Sequence, residues 1–335
     1  MEYRSLGNTG LKVSPLCLGT LTFGGATEET AAARMVGMAR DAGINFIDTA
    51  DAYIGGASEE ITGRLVAGDR DRWVLATKVA NPMGDGPHRR GLSRKWLLRA
   101  IDDSLARLGT DYVDIYYLHK EDPDTPMEET VGAIADLIRV GKLRYFGISN
   151  YRAWRIAEIV NLCAEAGIAA PAACQPYYHA LYRTAEVEVL PACDYYGIGV
   201  APYSPLARGV LTGKYRRGAE PDAGSRAARK DQRLLETEFR EETIALAEQV
   251  RLRAEARGMT AGQFALAWVL GNELVTAAVA GPRTPEQWAE NIAALDHRLD
   301  AEDEAFVDSL VAPGHAAGTG FTDPSYPIEG RLTGD

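Results

Sequence analysis

The chain has 335 residues, is 46% hydrophobic and carries a formal net charge of −11, enough to bury a large core in one barrel-sized domain or two smaller ones. The acidic balance argues against nucleic acid or an anionic membrane surface as the main partner, and an anionic cofactor would need locally concentrated Lys and Arg. Met1-Glu2-Tyr3-Arg4-Ser5 leads into no apolar signal core, no stretch is long enough to span a bilayer, and Cys17, Cys163, Cys174 and Cys193 show no paired metal-like spacing. Reduced, packed thiols in a cytoplasmic protein without a metal site are expected.

Tyr3–Leu6 and Leu11–Val13 flank Gly7-Asn8-Thr9-Gly10 and predict a hairpin, placed as a cap on the barrel end where strands begin. Short apolar runs then alternate with longer amphipathic ones. Read as strand and helix, the pairs are Leu16–Thr20 with Glu28–Ala42, Phe46–Thr49 with Ser58–Ala67, Trp73–Lys78 with Ser93–Leu108, and Val113–His119 with Met127–Val140. The second half gives Leu143–Ser149 with Arg152–Ala166, Ala172–Gln175 with Ala185–Tyr196, Ile198–Tyr203 with Glu242–Arg257, and Val275–Ala280 with Pro285–Leu295. Ser93 is placed as an N-cap and Gly109 as a C-cap. Eight consecutive βα units predict an α/β fold, a (β/α)8 TIM barrel, over residues 1–335 as one domain. Ala261–Leu270 and Ala301–Leu310 are left as extra helices, Ser204 to about Arg233 as a long functional loop, and Pro313 to Asp335 as an extended tail.

In a barrel of this kind the working face is the one where strands end. Asp48, Lys78 and His119 stand at the ends of the second, third and fourth predicted strands, and Tyr53 in the loop after the second. Singly each has an ordinary reading: a turn carboxylate, a half-buried aromatic, a core histidine. Together they make a proton-delivery device. A carbonyl that accepts a hydride becomes an alkoxide and needs a proton, which a phenol can give. A charged Lys78 would stabilise the phenolate and lower the pKa of Tyr53, Asp48 would keep Lys78 charged, and His119 could orient the carbonyl oxygen.

These residues sit in Leu18-Gly19-Thr20, Asp48-Thr49-Ala50-Asp51-Ala52-Tyr53 with Gly56, Ser58 and Glu59, Ala76-Thr77-Lys78 and Leu118-His119. Further on stand Gly141-Lys142-Leu143-Arg144, Gly147-Ile148-Ser149-Asn150, Tyr203-Ser204-Pro205-Leu206, Leu211-Thr212-Gly213-Lys214 and Gly281-Pro282-Arg283 with Gln287, Glu290 and Asn291. Over nearly its whole length the chain resembles the aldo-keto reductases, the branch that includes potassium-channel β-subunits among them. The resemblance implies NADPH-dependent reduction of aldehydes or ketones without metal, with the family's tetrad on Asp48, Tyr53, Lys78 and His119.

Ser149, Asn150 and Gln175 can hold a carboxamide, which both donates and accepts, and Tyr203 offers a flat face to a nicotinamide ring. The ordinary reading makes Asn150 the cap of the helix at Arg152 and Tyr203 a core residue; the cofactor role is preferred because these residues stand together. The resemblance extends the cofactor (NADPH/NADP) site to Gly19, Thr20, Leu21, Asp48, Ser204, Pro205, Leu206, Gly209 and Lys214. It places Gly281, Arg283, Gln287, Glu290 and Asn291 at the adenosine end. A guanidinium at Arg283, with no acidic residue beside it to take a ribose hydroxyl, favours NADPH over NADH. Phe23, Ile54, Met83 and His88, with Tyr53, His119 and Lys120, are candidate walls for a small aldehyde, an aromatic aldehyde or a sugar derivative, with the tail around Phe321–Tyr326 over the mouth. Two other readings stay open: a Schiff-base aldolase using Lys78, and a cofactor-sensing channel subunit with slow turnover.

Overall fold

The computed structural model describes residues 1–318 and 323–326. Strands β1 (Arg4–Ser5) and β2 (Lys12–Val13) pair antiparallel as the expected hairpin. The other eight strands are parallel. They are β3 (Leu16–Gly19), β4 (Phe46–Asp48), β5 (Val74–Val79), β6 (Val113–Leu118), β7 (Leu143–Ser149), β8 (Ala173–Gln175), β9 (Gly199–Val200) and β10 (Ala278–Ala280). Their spatial order is β10-β3-β4-β5-β6-β7-β8-β9. The remaining seam, between β9 and β10, is bridged by the Ala277 N–H to the Val200 carbonyl (3.2 Å) and the Val279 N–H to the Pro202 carbonyl (2.9 Å). Tyr203 pairs with Val279 just beyond. The sheet is thus a (β/α)8 TIM barrel. β9 is shorter than Ile198–Tyr203 because Pro202 has no N–H to give a ladder.

The strands alternate strictly, and that alternation positions the site. Cys17, Phe46, Val74, Ala76, Ile115, Tyr117 and Ala173 face the barrel interior, while Leu18, Ile47, Leu75, Tyr116 and Leu118 face the helices. Counting by twos, Asp48 follows Phe46, Lys78 follows Ala76 and His119 follows Tyr117 into the interior. Asp48 lies opposite Ala76, and Lys78 opposite Tyr117.

Outside the sheet stand α1 (Glu29–Asp41), α2 (Ala57–Val66), α3 (Arg94–Leu108), α4 (Met127–Arg139), α5 (Ala153–Glu165) and α6 (Val189–Tyr196), each packed on the next. Ser93 Oγ accepts the Trp96 N–H, and Gly109 takes φ 64°, so α3 is capped as the sequence predicts. Then come α7 (Gln232–Thr237), α8 (Glu241–Ala256), α9 (Ala261–Gly271), α10 (Pro285–Ala293) and α11 (Ala301–Leu310). One expectation is corrected here. It is α9, not Glu242–Arg257, that packs on β10 and on α10 to continue the helical layer, while α8 lies against α9 and the turn at 207–212. The reason is composition: α9 is apolar almost all round and buried from Phe264 to Val269, whereas α8 is studded with Glu and Arg.

The hairpin closes the end of the barrel where strands begin. Leu6 and Val13 are completely buried in the interior cluster. Gly7, at φ 55°, lies so close to the backbone of Gly197 and Gly199 that a Cβ there would fall 2.4 Å from the Gly197 carbonyl oxygen. The stretch from Ser204 to Arg233 is less irregular than predicted, holding a 3-10 turn at Ala207–Thr212 and the start of α7. The four cysteines are buried and free. Among the described residues no helix is long and apolar enough to cross a membrane.

Candidate active site

Lys78 is completely buried and its ammonium finds three acceptors: an Asp48 carboxylate oxygen, the Thr49 carbonyl (2.8 Å) and the Tyr53 hydroxyl (3.2 Å). Its three N–H bonds are thereby used. Asp48, 2% exposed, accepts the Gln175 amide (Nε2 to Oδ1, 3.0 Å) on its other oxygen. Burial alone would strip the charge from Lys78, but the Asp48 carboxylate and Tyr53 outweigh it and its pKa is raised. Tyr53 departs from expectation. Burial pushes its pKa up more than Lys78 pulls it down, so the phenol stays protonated at neutral pH. His119 lies edge-on to Tyr53, ring centroids 5.9 Å apart. Burial, then Lys78 and Lys120, hold its pKa well below the usual imidazole value. With the Asn81 amide donating to Nδ1 (3.1 Å), the proton of this neutral ring sits on Nε2.

The turn carrying Tyr53 is fixed from below. Ile54, next in line, adopts φ 49°, a left-handed conformation costly for a β-branched residue. Ser58 Oγ donates to the Thr20 carbonyl (2.8 Å) and meets the Thr20 and Thr49 hydroxyls at 2.8 and 2.9 Å. Glu59 accepts from Thr77 Oγ1 (2.5 Å) and Arg107 Nε (2.7 Å).

On the later strands, Asn150 is left-handed at φ 58°. Its Nδ2 donates to the His119 carbonyl (2.9 Å) and to Ser149 Oγ (3.0 Å), and its Oδ1 accepts the Tyr203 hydroxyl (2.8 Å). Ser149 donates to the Gln175 carbonyl (2.8 Å). The structure therefore brings Ser149, Asn150, Gln175 and Tyr203 into one network with Asp48. The Tyr203 ring is backed by Tyr177, centroids 5.2 Å apart, whose hydroxyl donates to buried Glu238. Tyr177, Glu238 and Asn81 escape sequence reading. Asn81 follows Ala80, whose φ of 119° the sequence does not signal.

Beyond Tyr203 the backbone is left-handed at Ser204, Ala207, Arg208 and Gly209. Lys214 lies against Gly209, where a Cβ would sit 2.8 Å from Nζ. Desolvation and the nearby Arg226, Arg283 and Arg229 lower its pKa. Arg283 reaches the Gly224 carbonyl, and its N–H donates to Gln287 Oε1 (2.9 Å). Glu290 accepts the Thr260 hydroxyl (2.5 Å), joining α10 to the start of α9. Gly19 abuts β10, and Gly281 in turn faces the Gly19 carbonyl.

Of the candidate substrate walls, Ile54 is 46% exposed, His88 lies on an exposed loop, and Phe23 is completely buried in the cluster outside the barrel. Phe321 lies outside the described residues. Asp323 pairs with Arg233 through two bonds (2.9 and 2.6 Å), which brings Tyr326 near enough to feel Tyr53. A separate depression of about 780 Å³, lined by Arg4, Trp268, His297 and Arg298, opens elsewhere and contains none of the tetrad.

Residues 15–312 match the family model described as the aldo/keto reductase family. An uncharacterised oxidoreductase of Bacillus subtilis is 39% identical over 320 residues, covering 90% of this chain and 93% of that protein. The L-glyceraldehyde 3-phosphate reductase of Escherichia coli is 36% identical over 94% of this chain and 93% of its own. A probable voltage-gated potassium channel subunit beta of Oryza sativa is 36% identical over 88% of this chain and 92% of its own. With the strand-end geometry above, these matches place the chain among the oxidoreductases as a member of the aldo/keto reductase family.

Proposed function

We propose that the protein reduces an aldehyde or ketone to the alcohol with NADPH. The observation that carries this reading is the Lys78 ammonium, saturated between Asp48, the Thr49 carbonyl and the Tyr53 hydroxyl at the barrel mouth. The donor set fits the cofactor. Lys214, Arg226, Arg229 and Arg283 converge where phosphates would lie, and glycine at 209 leaves Lys214 room against the backbone. Ser149, Asn150 and Gln175 would hold the carboxamide and Tyr203 would back the ring. When bound, the nicotinamide supplies the hydride.

The chain's own residues manage the proton. His119 Nε2–H donates to the substrate oxygen and orients it. Tyr53 gives its hydroxyl proton to that oxygen as negative charge develops there. The phenolate left behind is stabilised by Lys78, whose own charge Asp48 secures. That held charge disfavours a Schiff base, which needs the neutral amine. The relatives' names widen the substrate panel to small phosphorylated aldehydes.

The test is NADPH consumption against aldehydes, ketones, sugars and phosphorylated aldehydes, wild type beside Tyr53→Phe. Turnover lost only in the variant supports the assignment. Cofactor binding with no turnover by either protein would favour a cofactor-sensing role instead.

A further inference from the structure

On the outer side of the barrel wall, behind the tetrad, the turn that carries Tyr53 rests on polar groups that proton delivery does not use. Two carboxyls lie there. Glu59 is completely buried and fully engaged by Thr77 and Arg107. Asp51, 1% exposed and two residues before Tyr53, is not. Its backbone N–H donates to the Lys78 carbonyl (3.2 Å), yet among the described residues neither of its carboxyl oxygens finds a side-chain hydrogen-bond partner. The Ala52 N–H, ahead of Arg107 and Lys78, pulls toward ionisation, but burial and Glu59 outweigh it. The Tyr116 hydroxyl, facing the same region from β6, is also buried and unpartnered. A carboxylate without donors is not tolerated in a dry site beside a second, charged carboxylate; such a group keeps its proton.

We infer that Asp51 is a neutral acid under physiological conditions, and that its proton fixes the charge Tyr53 feels while that phenol gives up its own. Asp51 is a positioning residue acting through Tyr53. The groups facing it are Glu59 from α2, Arg107 from α3, Lys78 from β5 and Tyr116 from β6. Burial first, then Glu59, push its pKa up to about 8, against the opposing pull of Ala52, Arg107 and Lys78. Tyr53 is close enough to feel its charge. Loss of the Asp51 proton to solvent above that pH adds a negative charge beside a phenol that must become a phenolate, and slows the transfer.

The kinetic half of this inference rests on the reductase reading; the ionisation itself does not. Asp51→Asn mimics the neutral acid. In single-turnover NADPH oxidation with a reactive aldehyde, the wild-type rate should fall about tenfold across a limb centred near pH 8, and Asp51→Asn should lack that limb. Melting gives the second readout. A raised carboxyl pKa means the folded-state advantage is full below about pH 4, where the unfolded Asp is also protonated, and is lost as pH rises toward about 8. The melting temperature of Asp51→Asn should therefore gain on wild type over that window and then run parallel. Should the variant fail to fold, carboxyl-carbon NMR of the wild type reads the same titration. The same alkaline limb in both proteins, a melting difference independent of pH, or an Asp51 carboxyl ionised near its ordinary value would each overturn the inference. A pH-dependent melting difference without turnover by either protein would uphold the protonated Asp51 and remove the reductase reading.

Discussion

The two sides of the barrel mouth treat charge in opposite ways. Around β4 to β6 the ions are matched: buried Lys78 with Asp48, and half-buried Arg107 with buried Glu59. Around the turn after β9 and the start of α10, Lys214 lies near Arg226, Arg229 and Arg283, with Arg208 near Arg226 and the carboxylates Asp222 and Asp231 beside them. The first side is complete without a ligand, so its geometry is set before the reaction and costs no reorganisation during it. The second gathers positive charge in a chain whose net charge is −11, an arrangement suited to an anion. Chemistry and binding should therefore respond differently to mutation and to salt.

The largest effect is expected where a matched side loses its reacting group. Tyr53→Phe keeps the ring and the packing, so cofactor titration should stay near wild type while turnover falls roughly 10²- to 10⁴-fold. Near-normal turnover would leave the proton donor elsewhere. Next comes the pair itself. Lys78→Met strands Asp48 without its buried partner and should cost about 3–5 kcal/mol in denaturant unfolding, much of it recovered in the Lys78→Met, Asp48→Leu double variant. No recovery would mean that packing, not charge, holds that part of the interior. On the unmatched side, Arg283→Ala should weaken NADPH by about 1.5–3 kcal/mol, roughly 10- to 150-fold, and leave NADH unchanged. Equal affinities for both cofactors, indifferent to the substitution, would break the comparison there. The smallest effect is ionic. Raising salt toward about 0.5 M should weaken NADPH several-fold while the stability lost in Lys78→Met stays constant, since screening reaches exposed charge and not the buried pair.

The convergence of Asp48, Lys78 and His119 was legible because strand period and strand end can be read together. Phe46-Ile47-Asp48 and Ala76-Thr77-Lys78 each place an apolar inward residue two positions before a charged one, and the same count carries His119 inward after Tyr117. Ser149, Asn150 and Gln175 also stood out by their position at strand ends. What escaped depends on pairing across distant segments. Nothing local marks Asn81 as the partner of His119, Glu238 as the partner of Tyr177, or Asp51 as the unpartnered one of two acids. Helix order misled for a related reason. Glu242–Arg257 follows the seventh strand in sequence, but its charges keep it outside, and apolar α9 takes the place against the sheet.

The hairpin of β1 and β2 has a consequence for water. With Leu6 and Val13 filling the floor and Gly7 pressed on Gly197 and Gly199, the barrel has a stopper at one end. Among the described residues the floor of the barrel is thus filled beneath Lys78 and Tyr53, and a cofactor bound at the mouth would cover them from the other side. Protons on these groups, and the amides of β4 and β5 beside them, should exchange with deuterated solvent far more slowly once the cofactor is bound. Loosening the stopper, as with Gly7→Val, would open a second entrance and restore exchange without touching any group in the site.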